Sequence, residues 1–462
     1  MTTNHNRNHD HDHDHDHQAT DVITLDVDRL DTIHKKMTTD PKILSKSVGR
    51  GTCSIFKVPK TFTEVNGKLY QPQIISIGPF HHGQPNFQMM EEHKYQYLGQ
   101  LLTRTKLTLL ALFDAVARYE AEIRECYSEI IQLEAQELLE MMVVDGCFIL
   151  ELFRKVAKVV PFEIDDPIAS MSWIFPALLR DLHRFENQIP YFVLQILFDL
   201  TYEDGDHDDH DNGGNDVGFK YNLATLSLDF FNYILQRPNE VIWSYKDLKP
   251  KHLLDLLRSS FITPELVPKT RSKTSPTPSQ IILPVSKLRR AGIELHPGQA
   301  QTFLAIKFNH GVIEMPTVTF DDFMTSLIAN FVAFEQCHKN CSTYFTTYTT
   351  FVDSLVNTAK DVEHLCDHNI IENYFGTEAE IATFVNNLGK EVAFDIDQCY
   401  LAKLFDDVNT YYQNSWHVHW ASFKYTYFNT PWSFISALAA AFLLVLTVMQ
   451  AVYAILPYYE KK

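Results

Sequence analysis

The sequence is missing most of the patterns that would announce a reaction. It holds no nucleophile elbow, no glycine-rich phosphate loop, no zincin helix and no dinucleotide fingerprint. Positive charge is short as well: 40 Lys and Arg stand against 58 Asp and Glu, a formal net charge of −18. A nucleic-acid binder needs a basic face, so nucleic acid is excluded as a main partner. Cysteine is sparse, with seven residues (53, 126, 147, 337, 341, 366 and 399) spread through 462. So thin and odd a set does not fit a disulfide-stapled secreted domain. The opening MTTNHNRNHDHDHDHDHQ lacks the apolar core of a secretory signal. No internal repeat is found.

What is present is a long hydrophobic run near the C-terminus, and the chain is organised around it. Phe434 to Leu456 reads FISALAAAFLLVLTVMQAVYAIL, with Gln450 its only strongly polar side chain. As a helix at ~1.5 Å per residue it reaches about 34 Å, enough for a hydrocarbon core of ~30 Å. Trp432, Tyr453, Tyr458 and Tyr459 sit toward its ends, where amphipathic rings favour the interface. A single transmembrane helix over 432–456 is expected; the alternative is a core helix buried in a soluble bundle. With no signal ahead of it, the body is expected in the cytosol, at the plasma membrane or an endomembrane. The sequon Asn340-Cys341-Ser342 matters only if that orientation is wrong.

Apolar residues at 45% and charged ones at 21% are ordinary for a globular body. Much of the acidity lies in two segments, the His/Asp tail 1–20 and the loop 203–218, which carry 10 of the 18 excess negative charges. Neither can bury apolar surface, and both read as disordered. Between tail and body, residues 21–44 suggest a short helix that docks the tail. The imidazoles of the tail could loosely chelate a transition metal, but nothing fixes a geometry. Asp204, Asp206 and Asp208 resemble a calcium loop, yet Asp209 and Asn215 replace its glycine and glutamate.

The body, 21–425, reads as mainly α with a small β-hairpin and extended component. Residues 54–83 carry Pro59, Pro72 and Pro79 and turn signals, and so read as extended packing material rather than helix. Spacings of three and four predict two or three helices over 89–158, breaking near Asp145-Gly146. A helical pair over 167–200 breaks at Asn187 to Pro190, and 223–261 is helical again. A Pro/Ser/Thr linker, 263–283, is an exposed connector or a basic, phosphorylatable arm near anionic lipid. Residues 301–318 read as a hairpin turning at Asn309-His310-Gly311. A helix capped around Asp321 and Asp322 follows, then several more over 351–405.

Candidate chemistry is weak. His81-His82 could ligate a metal or shuttle protons, or be a hydrogen-bonded structural pair. Cys337, His338 and Cys341 with Cys366 and His368 could make a zinc site, or be buried apolar cysteines. Asp145, Glu151, Arg180, Asp181, Arg184 and Glu186 lie in apolar helical stretches. They could do acid/base work in a cleft or form a buried charge network that fixes helix register.

Several strings are more specific: Ile55-Phe56-Lys57-Val58-Pro59, Tyr70-x-Pro72, Ile75-Ser76-Ile77-Gly78-Pro79-Phe80-His81-His82-Gly83, Met90-Glu91-x-x-Lys94 and Asp145-Gly146-Cys147-Phe148-Ile149. Arg180-Asp181, Glu186-Asn187-Gln188-Ile189-Pro190, Ala291-Gly292 and Asn330 through Phe334-Glu335-Gln336 continue them. From Ile55 to the C-terminus the chain resembles the plant family called domain of unknown function 247. The resemblance implies a plant, mostly helical, single-pass membrane protein with no assigned catalysis. Some grass members are implicated in pollen–stigma self-incompatibility. No catalytic, cofactor or metal residue is carried over.

The expected function is therefore a non-enzymatic, membrane-anchored recognition or signalling protein, with self-incompatibility its narrowest form and a protein partner unnamed. The alternative is a hydrolase-like enzyme using His81 and His82, or Asp145, Arg180, Asp181 and Glu186.

Overall fold

Apolar residues three and four apart are answered by helix almost everywhere they occur. The computed structural model describes residues 26–38, 44–202, 221–267, 281–338, 341–390, 392–396, 399–413 and 431–459. The His/Asp tail, the acidic loop with Asp204, Asp206 and Asp208, most of the 263–283 linker, Asn340 and the stretch 414–428 lie outside these residues. The chain divides into Met1–Leu44 and Ser45–Lys462. In the first unit α1 (Val27–Thr38) forms the expected short helix, opened by the Asp26 carboxylate accepting the Asp28 amide at 3.0 Å.

In the second unit the proline-rich stretch is not wholly extended, since α2 (Lys60–Asn66) interrupts it. Pro59 starts that helix, where its missing donor costs nothing. Four helices, not two or three, follow: α3 (Gln88–Thr105), α4 (Leu109–Ala117), α5 (Glu120–Glu125) and α6 (Ala135–Val156). No break occurs at Asp145-Gly146, which lies inside α6. There the glycine serves packing rather than turning: a Cβ on Gly146 would collide with Cδ1 of Leu197. The bare backbone thus lets α9 (Tyr191–Leu200) lie close, behind α7 (Pro167–Ser170) and α8 (Ile174–Leu182). Sixteen of the 22 residues of α6 are buried, so this helix is the axis of the core.

The chain then runs through α10 (Leu223–Leu235), α11 (Asn239–Trp243), α12 (Leu253–Ser259) and α13 (Val285–Arg290). The hairpin is present but shorter than the alternation suggests: β2 (Lys307–Asn309) pairs antiparallel with β3 (Val312–Pro316). Its turn, His310-Gly311, has both residues at positive φ, the conformation that suits tight hairpins. A strand not foreseen, β1 (Glu294–Gly298), pairs parallel with β3, and β4 (Val318–Phe320) pairs parallel with β5 (Ile371–Asn373). Between β4 and β5 lie α14 (Asp322–Cys337), α15 (Tyr344–Leu355) and α16 (Ala359–Asp367). Asp321 caps α14 as expected, its carboxylate accepting the Met324 amide at 2.7 Å. After α17 (Glu378–Leu388) and α18 (Ala402–Gln413) comes α19 (Pro431–Tyr459). Within it Trp432–Tyr453 is long and apolar enough to cross a membrane, and none of that window is buried.

Candidate functional site

The segment from Ser54 to Gly83 has a problem to solve. Its prolines and turns keep most of it out of helix and sheet, yet Ile55, Ile75 and Ile77 are fully buried. Buried amides without acceptors would each cost about 1–3 kcal/mol. Side chains from α6, α8 and the turn before α9 supply the acceptors. Val58 N donates to Glu186 Oε1 at 2.7 Å, Ile77 N to Asn187 Oδ1 at 2.7 Å and Gly78 N to Asp145 Oδ2 at 2.8 Å. Asp181 alone takes three amides in a row, those of Gln73, Ile74 and Ile75, at 2.7–3.0 Å. Lys94 closes the lattice, donating to the Ser76 carbonyl and, at 2.6 Å, to Asp145 Oδ1. At Gly78, φ is +75° and a Cβ would lie 2.5 Å from the Gln188 carbonyl oxygen, so only glycine fits.

A second tier works the same way from α14. Asn330 accepts the Phe185 amide at 2.9 Å and donates to the Leu69 carbonyl at 2.8 Å. Glu335 pairs with Arg258 at 2.7 Å and accepts the amides of Phe345 and Thr346 at 3.1 and 2.7 Å. Gln188 donates to the Leu182 and Arg184 carbonyls and accepts the Leu254 amide. Lys94, Asn187, Gln188, Asn330 and Glu335 stand in the strings that carry the resemblance, but sequence reasoning assigned them no part in a site. Their signal was uncharged or singly charged polarity inside apolar runs, which does not reveal what it bonds to.

The carboxylates singled out in the sequence do not converge on one cleft. Asp145 serves Gly78 and Lys94, Asp181 the 73–75 backbone, and Glu186 serves Val58 and, at 3.1 Å, Nε2 of His81. Arg180 lies 3.9 Å from Asp322, and Glu151 takes Arg104 at 2.8 Å. Arg184 donates to the Ser326 hydroxyl at 2.7 Å. His81 and His82 part company: His81 is buried on Glu186, whereas His82 borders a cavity of about 180 Å³ with Glu91, Tyr95, Glu137, Glu140 and Asp145. Among the described residues no group of three or more His, Cys, Asp or Glu is placed to hold a metal ion. Cys337, His338 and Cys341 therefore do not join Cys366 and His368. Burial pushes the Cys337 and Cys341 thiols up to about 12, and His338 contacts the Lys251 amine.

A family model for a plant protein of unknown function, domain of unknown function 247, matches residues 55–446. The chain belongs to that family. The match opens at Ile55, where the braced segment begins, and closes inside α19, so the whole lattice is family territory. UPF0481 protein At3g47200 of Arabidopsis thaliana is 33% identical over 450 residues, covering 92% of this chain and 90% of its own. Putative UPF0481 protein At3g02645, also of Arabidopsis thaliana, is 24% identical over 507 residues, covering 90% and 93%. No solved structure matches the chain at a significant level.

The fold should be sensitive to mild acid. His252 is sealed in the core, its Nδ1 accepting the Asp255 amide at 3.3 Å and its Nε2 donating to the Ser54 carbonyl at 3.2 Å. That bonding requires the neutral ring, and burial brings its pKa from 6.5 down to about 4. Because the folded value is depressed, its stabilisation is complete above pH 6.5 and is lost as pH falls toward 4. The loss is on the order of 3 kcal/mol. His183, bonded to Leu179 and Ser326, acts in the same direction, its pKa held well below the ordinary value by burial. Asp353 acts oppositely, since burial raises it to about 6, but it is only half-buried. Denaturant midpoints should therefore fall across this window, and His252→Asn, which still caps α12, should flatten the fall. A midpoint independent of pH would refute the assignment.

Proposed function

We propose that the protein is a non-enzymatic recognition or signalling protein, anchored by α19 with its body on the cytosolic face of a plasma or internal membrane. The observation that carries this reading is the span Trp432–Tyr453, long and apolar enough to cross a membrane and with none of it buried among the described residues. In lipid such a helix satisfies its own backbone, and Thr447 returns its hydroxyl to the Leu443 carbonyl at 2.8 Å. The commitment of Asp145, Asp181, Glu186 and Glu335 to backbone amides supports it further, because those groups serve the fold. The narrowest form, a pollen–stigma self-incompatibility determinant, rests on family resemblance. The alternative, a hydrolase-like enzyme using His81 and His82 or Asp145, Arg180, Asp181 and Glu186, draws support from the cavity that His82 borders. The test is alkaline carbonate extraction of the full chain from plant tissue, with proximity labelling. Retention in the pellet and a protein set lost on deleting α19 are expected. A chain recovered in the supernatant, or a turnover abolished by His82→Ala, would contradict the reading.

A further inference from the structure

A second cavity, about 250 Å³, is lined by residues of α10, of the loop after α12 and of the strands and their flanking loops. Its wall includes Arg237, Phe261, Gln301, Thr302, Thr319 and Asp321. Arg237 is held in a particular way. Its guanidinium lies 4.8 Å from the Phe261 ring centre, and Nη1 donates to the Ser260 carbonyl at 3.2 Å and hydroxyl at 2.9 Å. The other edge, Nε and Nη2, is shut off from solvent and has no acceptor among the described residues. Those two donors form the side-on fork with which arginine grips a carboxylate or phosphate. Among the described residues no carboxylate is paired with it. Burial lowers its pKa to about 10, which leaves it charged at neutral pH.

The rest of the wall favours an acceptor as guest. The buried Thr302 oxygen accepts the Leu304 amide at 3.3 Å and keeps its own proton to donate, while Gln301 stands exposed at the rim. Thr319 already donates to Glu372, so it is not counted. Among the described residues Asp321 is the one acid on the wall; its Oδ1 is engaged by the Met324 amide at the positive end of α14, which offsets its charge. The volume is below the roughly 300–1,000 Å³ of sites for drug-sized ligands, which limits the guest to metabolite size.

We infer that this cavity is a binding site for a small oxyanion, a molecule bearing a phosphate or carboxylate group. The anion takes the Nε/Nη2 edge of Arg237 after a small swing of the guanidinium, with the Thr302 hydroxyl and Gln301 amide as further donors. Isothermal titration of the full chain in lipid nanodiscs with inorganic phosphate and, separately, succinate tests this. Saturable one-to-one binding of at least one probe is expected, weakened about tenfold or more in Arg237→Gln. Arg237→Lys, which keeps the charge but not the fork, should also weaken it. If Arg237→Gln does not fold, Gln301→Glu decides: it adds negative charge at an exposed rim position and should weaken binding equally. Binding by phosphate alone or succinate alone identifies the guest's head group. Saturation by neither probe up to about 10 mM, or affinity unchanged in the variants, would overturn the inference.

Discussion

Asp181→Ala is expected to cost on the order of 4 kcal/mol or more, enough to leave much of the body unfolded at physiological temperature. Three consecutive amides lose their acceptor at once, and each stranded amide costs about 1–3 kcal/mol. The stability of a folded domain is only about 5–15 kcal/mol. Asp181→Asn separates the two contributions. Burial pushes the Asp181 carboxyl above its ordinary pKa, so a neutral amide escapes a desolvation cost. Against that, Oδ2 already accepts all three amides and Oδ1 shares only that of Gln73, so the variant keeps one oxygen for the three but sets an NH2 group against the Gln73 N–H. The lost shared bond and the donor–donor contact at Gln73 outweigh the relief, and Asn should remain destabilised by about 2 kcal/mol. Urea denaturation of the full chain in detergent, followed by circular dichroism, reads both. An Asn variant as stable as the parent would mean that the second oxygen contributes nothing.

Lys94→Met should be nearly as damaging, about 3–5 kcal/mol, because it leaves Asp145 charged, buried and bonded only to Gly78. The diagnostic result is the double variant. Lys94→Met with Asp145→Asn removes both charges and keeps an acceptor for the Gly78 amide. It should be more stable than Lys94→Met alone by about 1–2 kcal/mol. If the double variant is instead worse by the sum of the two single changes, the pair is not coupled and the lattice reading of Lys94 fails.

The helices were legible because their apolar spacing is set by burial against one core, and α14 was also marked by its capping aspartates. The error at Asp145-Gly146 shows where local signals give out. An Asp-Gly pair is a turn signal by propensity, but the approach of Leu197 makes glycine a packing requirement inside α6. β1 escaped because its five residues, Glu294–Gly298, include a proline and pair with β3 in parallel, a non-local contact that leaves no local pattern. The charged candidates were found. Yet their bonds run mostly to backbone, not to one another. No spacing in the sequence could reveal that, because Asp181 and the amides it holds are more than a hundred residues apart. The Arg237 cavity was invisible for a similar reason: an arginine after a helix is ordinary until its surroundings are seen.

The central claim is that residues 73–78 are fixed by side-chain acceptors from α6, α8 and the turn before α9 rather than by regular secondary structure. Native-state hydrogen exchange on the peptide covering 73–78 tests it most directly. These amides should exchange as slowly as those of α6 in the parent chain, and should speed up selectively in Asp181→Asn while α6 stays protected. Rapid exchange at 73–78 in the parent chain would contradict the account.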